Sequence, residues 1–172
     1  MNSFCRLFTA LTLLLALSPL VISPAVYALD APTGPVLLTL SGAIGVTNAG
    51  DTLQLDQVAL DALPKTVIKT QTPWTEGLVE FEGVALKDLL TLAGAKGTAL
   101  TATAINDYAV DIPVTDADNP HVIVALRLNG ALMPVREKGP LWIIYPLTDE
   151  PELETEETKS KMIWQLNRLE IR

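Results

Sequence analysis

The sequence has 172 residues, with 20 acidic against 12 basic side chains and a net charge of −8 at pH 7. So acidic a chain has no general electrostatic attraction for nucleic acid or for an anionic membrane surface, although a local cluster such as Arg136 with Lys138 suits a small anion. One cysteine, Cys5, and one histidine, His121, are too few for a zinc site of the usual kind, and neither Ser41 nor Ser160 lies in a GxSxG elbow.

Residues 1–28 carry a single basic residue, Arg6, ahead of an apolar run from Leu7 that Ser18 and Pro19 interrupt. Val26 and Ala28 fit the small-residue cleavage pattern, which predicts a secretory signal peptide cut after Ala28. The run is short against the ~20 apolar residues that a span needs, and its prolines argue against a straight membrane helix. Cleavage removes Cys5. The exported chain then has no disulfide, no thiolate nucleophile and no sulfur ligand beyond its methionines, which suits a bacterial periplasm. The expected organisation is a signal peptide over 1–28, a linker over 29–35 and a single domain over 36–172.

Within that domain, "VLLTLSG" from Val36 reads as a strand with a glycine stop. "TLQLDQVALDALP" gives a short strand and a short helix that Asp56 caps. "KTVIKTQTPW" alternates as a half-buried strand, with Val67 and Ile68 on opposite faces. Leu78 to Phe81 are extended. Leu86, Leu89, Leu90 and Ala93 then follow helical spacing up to Gly94, a C-cap glycine. Asn106 and Asp107 divide two extended pieces as a hairpin turn, and His121 reads as a structural residue at a strand edge. "HVIVALRLNGALMPV" is a strand with an Asn129-Gly130 hairpin signal. "GPLWIIYP" is apolar on both faces and belongs at the centre of the core. "TDEPELETEETKSK" reads as an exposed polar excursion, and "MIWQLNRLEIR" as a closing strand whose inward phase shifts between Leu166 and Leu169, the mark of a bulge. About eight strands and two short helices without βαβ alternation predict an α+β domain of mixed or antiparallel sheet. There is no GxGxxG and no P-loop.

The order of these pieces resembles the molybdopterin-binding domain of the sulfite oxidase family, in its short exported branch. The resemblance is carried by "FEGVALKDLLTLAGA" at 81–95, "NDYAVDIPVTDA" at 106–117, "VIVALRLNGALMPVREKGPLWIIYP" at 122–146 and "IWQLNRLEI" at 163–171. It implies the fold of that domain and a cleft between the "TQTPW" turn, the "NDY" hairpin and the "VREKGP" loop. The candidate ligand-binding residues there are Thr72, Trp74, Asn106, Asp107, Tyr108, Arg136 and Lys138. The family ligates molybdenum with a cysteine whose equivalent here lies near Thr70 to Thr72. It also follows Gly-Pro-Leu with a cofactor-holding arginine where this chain has Trp142, and has a lysine where this chain has Ile163. A threonine or glutamine cannot supply the soft thiolate that the metal uses.

Two readings follow. In the first, the chain is a periplasmic binding or accessory module without molybdenum chemistry and without a cofactor, recognising a small anion or a partner such as a membrane sensor or a redox protein. In the second, it is a molybdopterin-dependent oxidoreductase that holds the molybdenum cofactor through other residues. Arg136 and Lys138 either line the cleft or form a solvated turn paired with the acidic run from Asp149 to Glu157.

Overall fold

The computed structural model describes residues 29–172, so the expected signal peptide lies outside the described residues. The strands are β1 (Val36–Gly42), β2 (Leu53–Asp56), β3 (Thr66–Thr70), β4 (Val79–Ala85), β5 (Ala99–Ala104), β6 (Ala109–Pro113), β7 (Ile123–Leu128), β8 (Ala131–Leu132), β9 (Trp142–Ile144) and β10 (Leu166–Ile171). The helices are α1 (Gln57–Ala62), α2 (Leu86–Leu92) and α3 (Glu156–Lys161), with 3₁₀ turns at Val114–Asp118 and Pro151–Leu153. One sheet runs β2-β1-β10-β5-β6; the other runs β3-β4-β7-β8, and β9 also pairs with β7. Every ladder is antiparallel except β1 with β10, which gives the α+β architecture expected of the sequence.

The local signals place these elements. Ile68 is buried while Val67 on the opposite face of β3 is exposed, as strand alternation requires. Asn129 and Gly130 both take positive φ, at 49° and 78°, in the tight turn from β7 to β8. Gly94 ends α2 at φ 59°, a left-handed conformation that glycine adopts without a Cβ penalty. The ladder of β10 against β5 slips between Leu166 and Arg168, the bulge that the change of phase predicts.

One core draws on both sheets. Leu38, Leu40 and Leu55 from the first join Phe81, Val84 and Ile123 from the second, all fully buried. Trp142, Ile143 and Ile144 of β9 are also fully buried and register against Ala125, Val124 and Ile123, so the "GPLWIIYP" strand is a core strand. Among the described residues no helix is long and apolar enough to cross a membrane. Residues 30–34 carry no strand, but they are tied to the domain. The backbone amides of Thr33 and Gly34 donate to Asp56 Oδ2, and the Asn48 side-chain amide donates to the Asp30 carbonyl.

Two features differ from expectation. Ten strands form rather than about eight, with the two-residue ladder β8 counted as a strand of its own, and β4 continues as far as Ala85. The polar excursion is largely exposed, as expected, but its end folds into a third helix, α3. Thr155 caps it by accepting from the Thr158 amide, and Lys159 and Lys161 stand in its last turn, where the helix dipole favours cations. The segment has no apolar stripe because it is held by polar contacts, so hydrophobic periodicity could not announce it.

Asp56 caps α1 through Oδ1, which accepts from the Ala59 amide at 2.9 Å, while Oδ2 holds Gly34 at 2.9 Å and Thr33 at 3.0 Å. These backbone hydrogen bonds, Ala59 first and Gly34 next, hold its carboxyl below the usual range despite its burial. A depressed folded value means that its contribution to stability is present above the unfolded pKa of about 4 and is lost as pH falls through the folded value. Asp56→Ala is therefore expected to lower the urea midpoint at neutral pH and to flatten the acid limb of the stability curve. An unchanged midpoint would count against the cap.

Candidate functional site

Trp74 is where the "TQTPW" turn meets both other loops: it lines one cavity with Asn106 and Tyr108 and another with Glu137 and Lys138. It is fixed by its own turn. Thr72 Oγ1 accepts from the Trp74 amide at 3.2 Å and lies 3.0 Å from Thr75 Oγ1, so the buried Thr72 hydroxyl is used within the loop. Trp74 packs edge-to-face on Trp164, with centroids 5.4 Å apart, and at 6.1 Å from Trp142. Trp142 in turn stands edge-on to Phe81 at 5.5 Å, and its indole N–H donates to the buried carbonyl of Met162. Edge-to-face geometry is the arrangement that the ring quadrupole favours.

Lys138 places its ammonium 4.8 Å from the Trp164 ring centroid and 5.3 Å from that of Trp142, a cation–π contact to two rings. The loop that carries it is clamped by Gln165. The Gln165 side-chain amide donates to the Val135 carbonyl at 2.7 Å, and its backbone N–H donates to the Lys138 carbonyl at 3.0 Å. Gln165 also accepts from the Ile105 amide at the tip of the neighbouring hairpin and takes a φ of 52° to make these contacts. Gly139 allows the loop to double back, since a Cβ there would collide with the Met133 carbonyl. Among the described residues neither Arg136 nor Lys138 pairs with the acidic run; the "VREKGP" segment is a largely exposed turn that lays Lys138 against Trp142 and Trp164.

The tryptophans divide the cleft. On one side is a cavity of about 330 Å³ whose lining includes Trp74, Asn106, Tyr108, Lys159, Met162 and Trp164. On the other is a cavity of about 470 Å³ lined by Trp74, Leu132, Pro134, Glu137 and Lys138 among others. Thr72 lines a third, more polar cavity beside Gln71, Thr148 and Lys159. Of the candidate residues, Asp107 and Arg136 line none of these three. Asp107 sits at the exposed hairpin tip with φ 64° and pairs with Arg168. Arg136 is exposed and, among the described residues, has neither an ion-pair partner nor a side-chain hydrogen bond. The cation that the loop turns inward is its neighbour Lys138. Lys159 and Trp164 are cavity residues that the sequence reading missed. Trp164 had a signal, since in the closing "MIWQ" it lies on the face opposite Ile163, but Lys159 had none.

The donor set at Thr70–Thr72 can be tested against a thiolate-held metal. Thr70 is fully buried and its hydroxyl accepts from the Thr148 amide at 3.1 Å, while Gln71 is held through its own amide by Thr148 Oγ1. With Thr72 engaged in the Trp74 turn, neither hydroxyl is left facing a metal. The described residues contain no cysteine and no group of three or more His, Cys, Asp or Glu side chains suited to an ion. These residues do not fit a thiolate-ligated molybdenum centre.

Comparison with known proteins places the fold. The family model described as the oxidoreductase molybdopterin binding domain matches residues 55–148. Among solved structures, the chain is similar to the crystal structure of the sulfane dehydrogenase SoxCD from Paracoccus pantotrophus, with a TM-score of 0.59 and 20% sequence identity. That similarity covers 84% of this chain and 40% of the other, so this chain spans well under half of the protein that it matches. Comparison with curated proteins gives no match.

Proposed function

Because the chain belongs to the family of oxidoreductase molybdopterin binding domains, we propose that it keeps that family's scaffold as a binding or accessory module in the periplasm, without molybdenum chemistry. The observation that carries this reading is the use of the Thr70 and Thr72 hydroxyls. At the positions where the resemblance places the metal-ligating cysteine, Thr70 and Thr72 spend their oxygens on the Thr148 and Trp74 amides. The centre of the cleft is filled by three tryptophans and the Lys138 ammonium. What remains are partly apolar cavities with a few converging polar groups, the usual form of a small-molecule site. A small anion is the favoured ligand, since Lys138 and Lys159 are the cations at the cleft. A membrane sensor or a redox protein is the kind of partner that such a module would serve.

The second reading, an oxidoreductase holding molybdopterin by other residues, is favoured by the family match itself. One experiment separates the two. The full chain is expressed in a host that makes the cofactor and recovered by osmotic shock, with its N-terminus expected at Leu29. It is then assayed for molybdenum and for pterin fluorescence. Molybdenum well below one equivalent, with no sulfite-dependent electron transfer, is the expected result. Stoichiometric metal that survives gel filtration would establish the second reading.

A further inference from the structure

We infer that the cavity of about 330 Å³ beside Trp74 is a site for a small planar aromatic acid, its ring held by Trp74 and Trp164 and its carboxylate by Lys159. This rests on the reading of the domain as a binding module and names the ligand class for one of its cavities.

Three properties of the lining point there. The first is shape and surface. Trp74, Trp164 and Tyr108 supply aromatic walls and Met162 an adaptable apolar contact; Trp164 is 37% and Tyr108 56% exposed, so both have ring surface still facing water. The Trp74–Trp164 pair meets at 68°, presenting one ring face and one ring edge, and a flat ring can extend that packing where an aliphatic group cannot. A cavity of this size lies at the low end of the ~300–1,000 Å³ typical of ligand sites, which suits one or two rings rather than a dinucleotide.

The second property is charge. Lys159 is the one charged residue lining the cavity, and no carboxylate lines it, in a protein of net charge −8. The Lys159 side chain is only 20% exposed, but its acidic partners lie outside. Glu156 at 3.3 Å and Glu154 at 3.8 Å are 94% and 61% exposed, so these are weak surface pairs that a ligand carboxylate can replace. The third is donor count. The Asn106 side-chain oxygen is taken by the Tyr108 amide at 3.2 Å, which leaves its amide nitrogen to donate. Ammonium and amide donors together call for an acceptor ligand. A cationic ligand is disfavoured on the same grounds, because Lys138 already takes the ring faces of Trp142 and Trp164.

The test is calorimetric titration of the full exported chain with phenylacetate and indole-3-acetate, against phenylacetamide and cyclohexylacetate as matched controls. Either aromatic acid should bind at least tenfold more tightly than both controls. Lys159→Gln should weaken phenylacetate binding at least tenfold while leaving phenylacetamide unchanged. Trp164→Ala should weaken both. Trp164→Leu, which keeps bulk without a π face, should do the same with an unchanged far-ultraviolet dichroism spectrum. Equal affinity for cyclohexylacetate, or full binding by the Lys159→Gln protein, would overturn the assignment. So would failure of both aromatic acids to bind at millimolar concentration. Such a failure with molybdenum still substoichiometric overturns the ligand class alone, whereas stoichiometric molybdenum overturns the binding-module reading.

Discussion

Trp142→Ala is expected to cost about 3–5 kcal/mol in equilibrium unfolding, the range for emptying a large aromatic site in a packed core. Trp142 is the largest fully buried side chain among the described residues. Its ring touches Phe81 at 5.5 Å, Trp74 at 6.1 Å and Trp164 at 6.3 Å, so the cavity opens at the junction of the core and the site. Its indole N–H serves the buried Met162 carbonyl at 2.9 Å, and an orphaned buried acceptor costs about 1–3 kcal/mol more. Against a total stability of about 5–15 kcal/mol this is a large fraction, and the variant is expected to be recoverable only at low temperature. Trp142→Phe separates the two contributions, since it keeps most of the packing and loses the donor. Urea denaturation followed by circular dichroism reads both. A loss below about 1 kcal/mol for the alanine variant would mean that the core recloses without the indole.

How far the sequence reveals this architecture depends on the range of the interaction involved. Asp56 as a cap, Gly94 as a helix stop, the Asn129-Gly130 turn and the bulge after Leu166 are all set by neighbours within a few residues, and each forms where its local chemistry indicates. The β9 strand is legible because a run that is apolar on both faces has nowhere to go but the core. The site is legible only in part. Trp74, Tyr108 and Lys138 lie on loops that the resemblance brings together. Lys159 reaches the cavity because α3 folds back over it, and nothing in "ETEETKSK" states that. The choice of Lys138 over Arg136 as the inward cation is likewise set from outside the loop, by Gln165 gripping the carbonyls of Val135 and Lys138. A reading of charge type alone favours Arg136, the better carboxylate ligand, and the backbone turns it to solvent.

What folds α3 back is a polar clasp, and Asp116→Ala should open it at a cost of about 2–4 kcal/mol. The Tyr145 hydroxyl, on a residue 3% exposed, donates to Asp116 Oδ2 at 2.7 Å, and Lys161 Nζ reaches the same oxygen at 3.1 Å. The Lys161 and Asp116 side chains are 12% and 19% exposed, so removing the carboxylate strands a buried hydroxyl and leaves the ammonium only Glu157, which is 79% exposed. Breaking a fully buried pair costs about 3–5 kcal/mol, and the residual exposure of this one lowers the expectation. Burial, reinforced by Asp116, pushes the Tyr145 hydroxyl far above its ordinary range. Burial opposes the charge on Lys161, but Asp116 and Glu157 outweigh it and its shift is upward as well. Raised folded values mean that both contributions are fully present below the unfolded values of about 10 and are lost only as pH rises through the folded ones. The clasp should therefore hold across the neutral range and weaken in alkali, and the Asp116→Ala protein should keep the part of that alkaline loss set by Tyr145 burial while shedding the part set by Asp116. Asp116→Asn, which keeps an acceptor for Tyr145 but not the charge, should fall between the two. Because α3 carries Lys159, loosening the clasp should also weaken phenylacetate binding with no residue of the cavity changed. A stability loss below about 0.5 kcal/mol would reduce the clasp to surface pairing. Full loss of stability with unaltered binding would show that Lys159 is held by its own helix rather than by Asp116.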